Sequence, residues 1–114
     1  MKSLKIIVLI IFGSLIASCQ SNTYDDIGGA VVTNPTYVKN IIPIMNAKCL
    51  GCHNGNQYPN LQGYENVKEA TLNGDVLCRI DDQSCGNVMP TSGRMSQATI
   101  DRIKLWATNG FVNQ

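Results

Sequence analysis

The chain carries five cysteines and a single histidine, and that histidine stands directly behind two of the cysteines in Cys49-Leu50-Gly51-Cys52-His53. Cysteines at this spacing lie on one side of a helical turn. Two sulfurs so placed reach two edges of one flat ligand, and an imidazole in the same turn can bind a metal at its centre. This is the attachment pattern of a c-type haem: Cys49 and Cys52 add across the two vinyl groups and His53 binds the iron axially. Leu50 and Gly51 bridge the gap, and Gly51 keeps bulk away from the ring. One covalent haem c would constrain the whole fold, because a short chain must then wrap a large, flat, apolar surface. The residues alone also admit a plain Cys49–Cys52 disulfide, a thioredoxin-like redox pair, or half of a zinc site completed by Cys78 and Cys85. A redox pair usually opens a helix after a strand, whereas this pair follows an amphipathic helical stretch.

The N-terminus indicates the compartment. Lys2 and Lys5 form a positive region, and Ile6 to Ile16 is an apolar run of signal-peptide length, short for a membrane span. Ile16-Ala17-Ser18-Cys19 then resembles a bacterial lipobox. Residues 1–18 are therefore read as a lipoprotein signal peptide and Cys19 as the lipidated new N-terminus. An ordinary secretory signal or an uncleaved anchor are the other readings. Each puts the functional part outside the cytoplasm; the lipobox places it in the cell envelope, lipid-anchored and facing the periplasm. Gln20, rather than aspartate, follows the cysteine and favours the outer membrane. Residues 19–33, with Asp25-Asp26 and Gly28-Gly29, read as a flexible tether, and residues 34–114 as one small domain.

The formal net charge is +1, so nothing points to nucleic acid or to a strongly charged partner. Aromatic residues make up 6% of the chain, and a core this thin usually needs support. A haem would provide it. Cys78 and Cys85 remain after lipid and haem are assigned, and in an oxidising compartment a disulfide between them is expected. That bridge would staple the segment leading to a second iron ligand.

Asn34 reads as an N-cap with Pro35 at the first helical position. Val38, Ile41, Ile42, Met45 and Cys49 then mark one helical face that runs into the cysteine motif, with a kink or break at Pro43. Asn54 to Gly63 is a loop. Tyr64 to Leu72 reads as a short helix with Val67, Ala70 and Thr71 on one side, closed by a left-handed turn at Asn73-Gly74. Val76, Leu77 and Ile80 mark a further apolar turn, and Asp81 to Asn87 a polar loop. Ser96 reads as the N-cap of a last helix to about Asn109, with Ile100, Ile103, Trp106 and Ala107 as its apolar stripe and Gly110 just past its end.

Met89-Pro90 lies in the loop before that helix. A thioether is a soft, neutral ligand suited to the sixth position of haem iron. Met45 sits one turn before Cys49 and cannot easily reach the opposite face. Met95 precedes the Ser96 cap and pairs with Ile100 as a hydrophobic staple. Met89 is therefore the expected ligand. Arg79, Arg94 and Tyr64 are candidates to hold the haem propionates.

Over residues 35–110 the chain resembles the single-haem cytochrome c domain of class I type. The resemblance rests on the apolar helix running into Cys49-Leu50-Gly51-Cys52-His53, on Met89-Pro90-Thr91-Ser92-Gly93-Arg94-Met95-Ser96, and on Ile103-Lys104-Leu105-Trp106 followed by Gly110. Met95 stands where that family commonly has leucine, Thr99 where an acidic residue is common, and Cys78 and Cys85 are additions. The resemblance implies an all-α fold, a small cytochrome c fold of three to four short helices packed around one covalent haem. It implies His53 and Met89 as axial ligands, and electron transfer as the activity, the iron cycling between ferrous and ferric. Such a protein is a carrier rather than an enzyme, meets its redox partner proteins transiently, and is held at the membrane by its N-terminal lipid. The alternatives are a haem-based sensor or peroxidase-like site with an open sixth position, and a haem subunit of a larger oxidoreductase complex.

Overall fold

The computed structural model describes residues 31–114. The expected signal peptide, the lipidation site Cys19 and the tether up to residue 30 lie outside the described residues. Among those described, every regular element is helical and there is no strand. A π-helical turn, Tyr37–Ile41, runs directly into α1, Ile42–Lys48; α2 spans Tyr64–Leu72, α3 Val76–Ile80 and α4 Gln97–Thr108. Among the described residues no helix is long and apolar enough to cross a membrane.

The first helical segment starts later than its sequence suggests. Thr36, not Asn34, is the N-cap, and Pro35 is buried in the core instead of opening the helix. The reason lies in the orphan N–H groups of a first turn. The Tyr37 N–H donates to the Val112 carbonyl at 2.8 Å, and the Val38 N–H to that of Asn113 at 3.1 Å. The Thr36 hydroxyl accepts from Lys39 N at 3.4 Å, while the Asn40 side chain accepts from Thr36 N at 2.9 Å. Together these form a reciprocal cap of the capping-box kind. The returning C-terminus selects Tyr37, and Tyr37 replaces Val38 on the inner face; Val38 is exposed. Pro43 acts as expected of a residue without an N–H. It occupies the first turn of α1, immediately after the π-helical turn in which the Ile42 N–H reaches back to the Tyr37 carbonyl.

The core gathers Tyr37, Ile41, Ile44 and Met45 from the first segment, Val67 from α2, Ile80 from α3, and Ile100, Ile103 and Trp106 from α4. Helix α4 is its spine, touching the π-helical turn, α2 and α3. The Ser96 hydroxyl accepts from Thr99 N, and Met95 and Ile100 are both buried beneath that cap, as a hydrophobic staple requires. Past the far end of α4, Gly110 has φ +82° and Phe111 φ +60°. Two successive left-handed residues reverse the chain, and side-chain packing compensates the cost at Phe111. Its ring meets Trp106 edge-on at 4.9 Å, and its carbonyl accepts from the Tyr64 hydroxyl at 2.7 Å. The Trp106 indole N–H donates to the Val112 carbonyl at 2.9 Å, which sets the tail against the start of the first helical segment.

The end of α2 differs from expectation in one respect. Gly74 does not take a left-handed conformation. Its backbone instead approaches the helix it has just left, and a Cβ there would lie 2.6 Å from the Ala70 carbonyl oxygen. Close approach, not positive φ, is what calls for glycine at this position.

Candidate functional site

The cysteine motif forms a single helical turn beyond α1. The Cys49 carbonyl accepts from Cys52 N at 3.1 Å and from His53 N at 2.9 Å. Cys49 and Cys52 are free thiols, Cys49 half-buried and Cys52 exposed. Burial pushes the Cys49 thiol above its ordinary pKa, because the low-dielectric surroundings penalise the thiolate.

His53 is oriented by a bond between Nδ1 and the Pro59 carbonyl at 2.9 Å. A carbonyl oxygen can only accept, so Nδ1 carries a proton, and in the neutral ring Nε2 is the nitrogen that has a lone pair to offer. This is how a metal-binding histidine is held by an outer partner. The loop is closed back onto the motif by the Leu61 N–H, which donates to the His53 carbonyl at 2.9 Å.

His53 and Pro59 form one side of a cleft of about 340 Å³, within the range of small-molecule pockets. Ala70 and Asn73 at the end of α2 supply another wall, with Val76, Arg79 and Ile80 of α3 beside them. Met89 completes the lining. Its N–H donates to the Arg79 carbonyl at 3.0 Å, so the loop carrying the thioether is docked on α3. Met45 and Met95 are buried in the core and do not line the cleft.

The structure thus brings His53 and Met89 to one cavity, together with the guanidinium-bearing Arg79. Cys49 and Cys52 share the turn of His53 but are not part of the cavity wall. Cys78 and Cys85 are bonded to each other, with Cα atoms 6.0 Å apart, so they are not arranged around Cys49 and Cys52 as a four-cysteine zinc site would need. Among the described residues no cluster of three or more His, Cys, Asp or Glu side chains is placed to hold a metal ion.

Two of the three residues considered for the propionates lie elsewhere. Arg94 pairs with Asp81 at 3.1 Å and donates to Gln97 at 2.8 Å. Tyr64 spends its hydroxyl on Phe111. Neither lines the cleft, because each is drawn to a partner on or beyond α4; Arg79 does line it. Sequence reasoning missed the Pro59 carbonyl. An acceptor that is main chain leaves no side-chain signature, and the Asn- and Gly-rich loop around it shows only that the chain turns there.

Comparison with family models, with curated proteins and with solved structures finds no match to this chain.

Proposed function

We propose that this chain is a lipid-anchored, mono-haem c-type electron carrier. One observation carries the reading. An imidazole held through Nδ1 by the Pro59 carbonyl and a thioether, distant in sequence, line one cleft, and the imidazole stands on the same turn as two free thiols. That donor set suits haem c and few other groups. When bound, haem supplies a one-electron ferric/ferrous couple.

Each residue then has a defined task. Cys49 and Cys52 hold the macrocycle through two thioether links. His53 would offer Nε2 to the iron, its ring fixed through Nδ1 by the Pro59 carbonyl. Met89 would offer the iron a neutral, soft sulfur, a ligand type that favours ferrous iron and raises the reduction potential. Arg79 brings a positive charge to the same cleft, which also disfavours the more positive ferric state. With His53 and Met89 both engaged by the iron, no position would be left for a substrate, and the protein would pass electrons to partners that dock briefly. Cys19 carries the lipid that keeps the domain at the membrane, on the periplasmic side.

The test is an absorption spectrum of protein matured with haem, oxidised and reduced, before and after denaturation. Haem that stays on the denatured chain, with a ferric sulfur–iron charge-transfer band in the native protein, is the expected result. A high-spin spectrum would instead mean an open sixth position and a sensor or peroxidase-like site. A colourless protein would sink the haem reading.

A further inference from the structure

The segment joining α3 to Met89 is held in an unusual way. Between Asp82 and Asn87 every residue except Cys85 is exposed, so the segment has no apolar anchor of its own. Cys85 is bonded to Cys78 on α3, at a Cα separation of 6.0 Å that a disulfide spans readily. Apart from the Met89 N–H bond to the Arg79 carbonyl at the segment's far end, the other ties are hydrogen bonds near water. Gln83 N donates to the Cys78 carbonyl at 2.7 Å, and Arg79 Nη1 to the Asn87 carbonyl at 3.3 Å. Gly86, at φ +139°, rests against the Arg79 guanidinium, which would have to move to admit a Cβ. Such bonds contribute little each when water can replace them. The disulfide is the one covalent cross-link, beyond the main chain itself, between the α3 wall of the cleft and the loop that presents Met89.

We propose that Cys78–Cys85 is a redox-controlled latch on Met89, an inference that rests on the haem reading of His53 and Met89. A thioether is a weak, exchangeable ligand, so its occupancy depends on its effective concentration at the metal. The closed bridge keeps that concentration high. A dithiol reductant opens it: the Cys78–Cys85 S–S bond breaks, two electrons and two protons arrive as two thiols, and the dithiol closes to its own disulfide. Exposed residues flank Cys85, so a reductant reaches it. Once freed, residues 82–87 keep only hydrogen bonds near water, the Met89 N–H bond to the Arg79 carbonyl is left to hold the half-buried thioether by itself, and Met89 leaves the cleft far more readily. The thiol state of α3 thereby selects between a closed carrier site and one whose sixth position is open to a small ligand.

The test uses the full-length protein matured with haem in three forms. They are oxidised wild type, wild type reduced with dithiothreitol and alkylated, and the Cys78→Ser/Cys85→Ser variant, each with iron reoxidised by ferricyanide. Two quantities are read: the sulfur–iron charge-transfer band, and amide hydrogen exchange along residues 79–89 and through α4. The opened forms are expected to lose most of the band and to exchange the Met89 amide about tenfold faster or more, with α4 rates unchanged. An unchanged band and unchanged Met89 exchange overturn the latch. Faster exchange spread equally through α4 overturns it too, since the bridge would then stabilise the whole fold and not Met89 in particular. Should oxidised wild type lack the band, the sixth-ligand reading fails, while the exchange comparison at Met89 still decides the latch.

Discussion

At the scale of single residues, the three methionines of the domain separate by what surrounds them. Met45 and Met95 are buried among core side chains, whereas Met89 is half-buried and borders the cleft with His53. Substitution should separate their roles in the same way. On the proposed haem reading, Met89→Ala is expected to abolish the sulfur–iron band of protein matured with haem while unfolding shifts little. Met95→Ala is expected to keep the band and to cost about 2–5 kcal/mol in denaturant unfolding, because it empties a packed position in the core. The reverse pattern would make Met95 the ligand.

At the scale of elements, α4 depends on its ends and on its ties to neighbouring loops. Ser96→Ala removes the hydroxyl that accepts from Thr99 N, and is expected to cost about 1 kcal/mol, or roughly 4–8 °C in Tm for a domain of this size. Asp81, at the end of α3, binds Lys104 of α4 at 2.7 Å and Arg94 at 3.1 Å, tying the Met89 loop at its base. The hydrogen bond from Lys104, aided by the charges of Lys104 and Arg94, holds the Asp81 carboxyl below the ordinary carboxylate range. A lowered folded pKa stabilises above the unfolded value of about 3.9 and ceases to do so as pH falls through the lower folded value. Thermal unfolding should therefore show a loss of stability on the acid side of about pH 4, reduced by salt and smaller in Asp81→Asn. Lys104 is shifted upward by the same contact, so its share is present below its ordinary pKa and lost only as pH rises through the higher folded value. An acid limb identical in Asp81→Asn would show that this tie contributes nothing to stability.

At the scale of the whole molecule, the fold combines a small core on α4 with a cleft of about 340 Å³ to one side. A core of this size leaves the domain marginal by itself. On the proposed reading, filling the cleft with a covalently held macrocycle buries further apolar surface on both partners. Replacing both attachment residues, Cys49→Ala/Cys52→Ala, should yield colourless protein that unfolds at a lower urea concentration than the haem-loaded wild type. Equal midpoints would mean that the cleft does not need its ligand for stability.

Features governed by near neighbours in sequence were readable without the structure. The Ser96 cap, the Ile100, Ile103 and Trp106 stripe, the Gly110 reversal and the Tyr64–Leu72 helix each depend on residues within a turn or two of one another, so periodicity and capping chemistry suffice to place them. The motif from Cys49 to His53 is of the same local kind. Tertiary structure alone decided the rest. The first helical segment begins at Tyr37 because carbonyls of Val112 and Asn113 return to cap it. Gly74 serves a close approach to Ala70 rather than a left-handed turn. His53 takes its tautomer from the carbonyl of Pro59, and Arg94 is claimed by Asp81 and not by the cleft. These outcomes depend on main-chain groups that every residue shares and on partners brought together only by folding, and neither leaves a mark in the order of side chains along the chain.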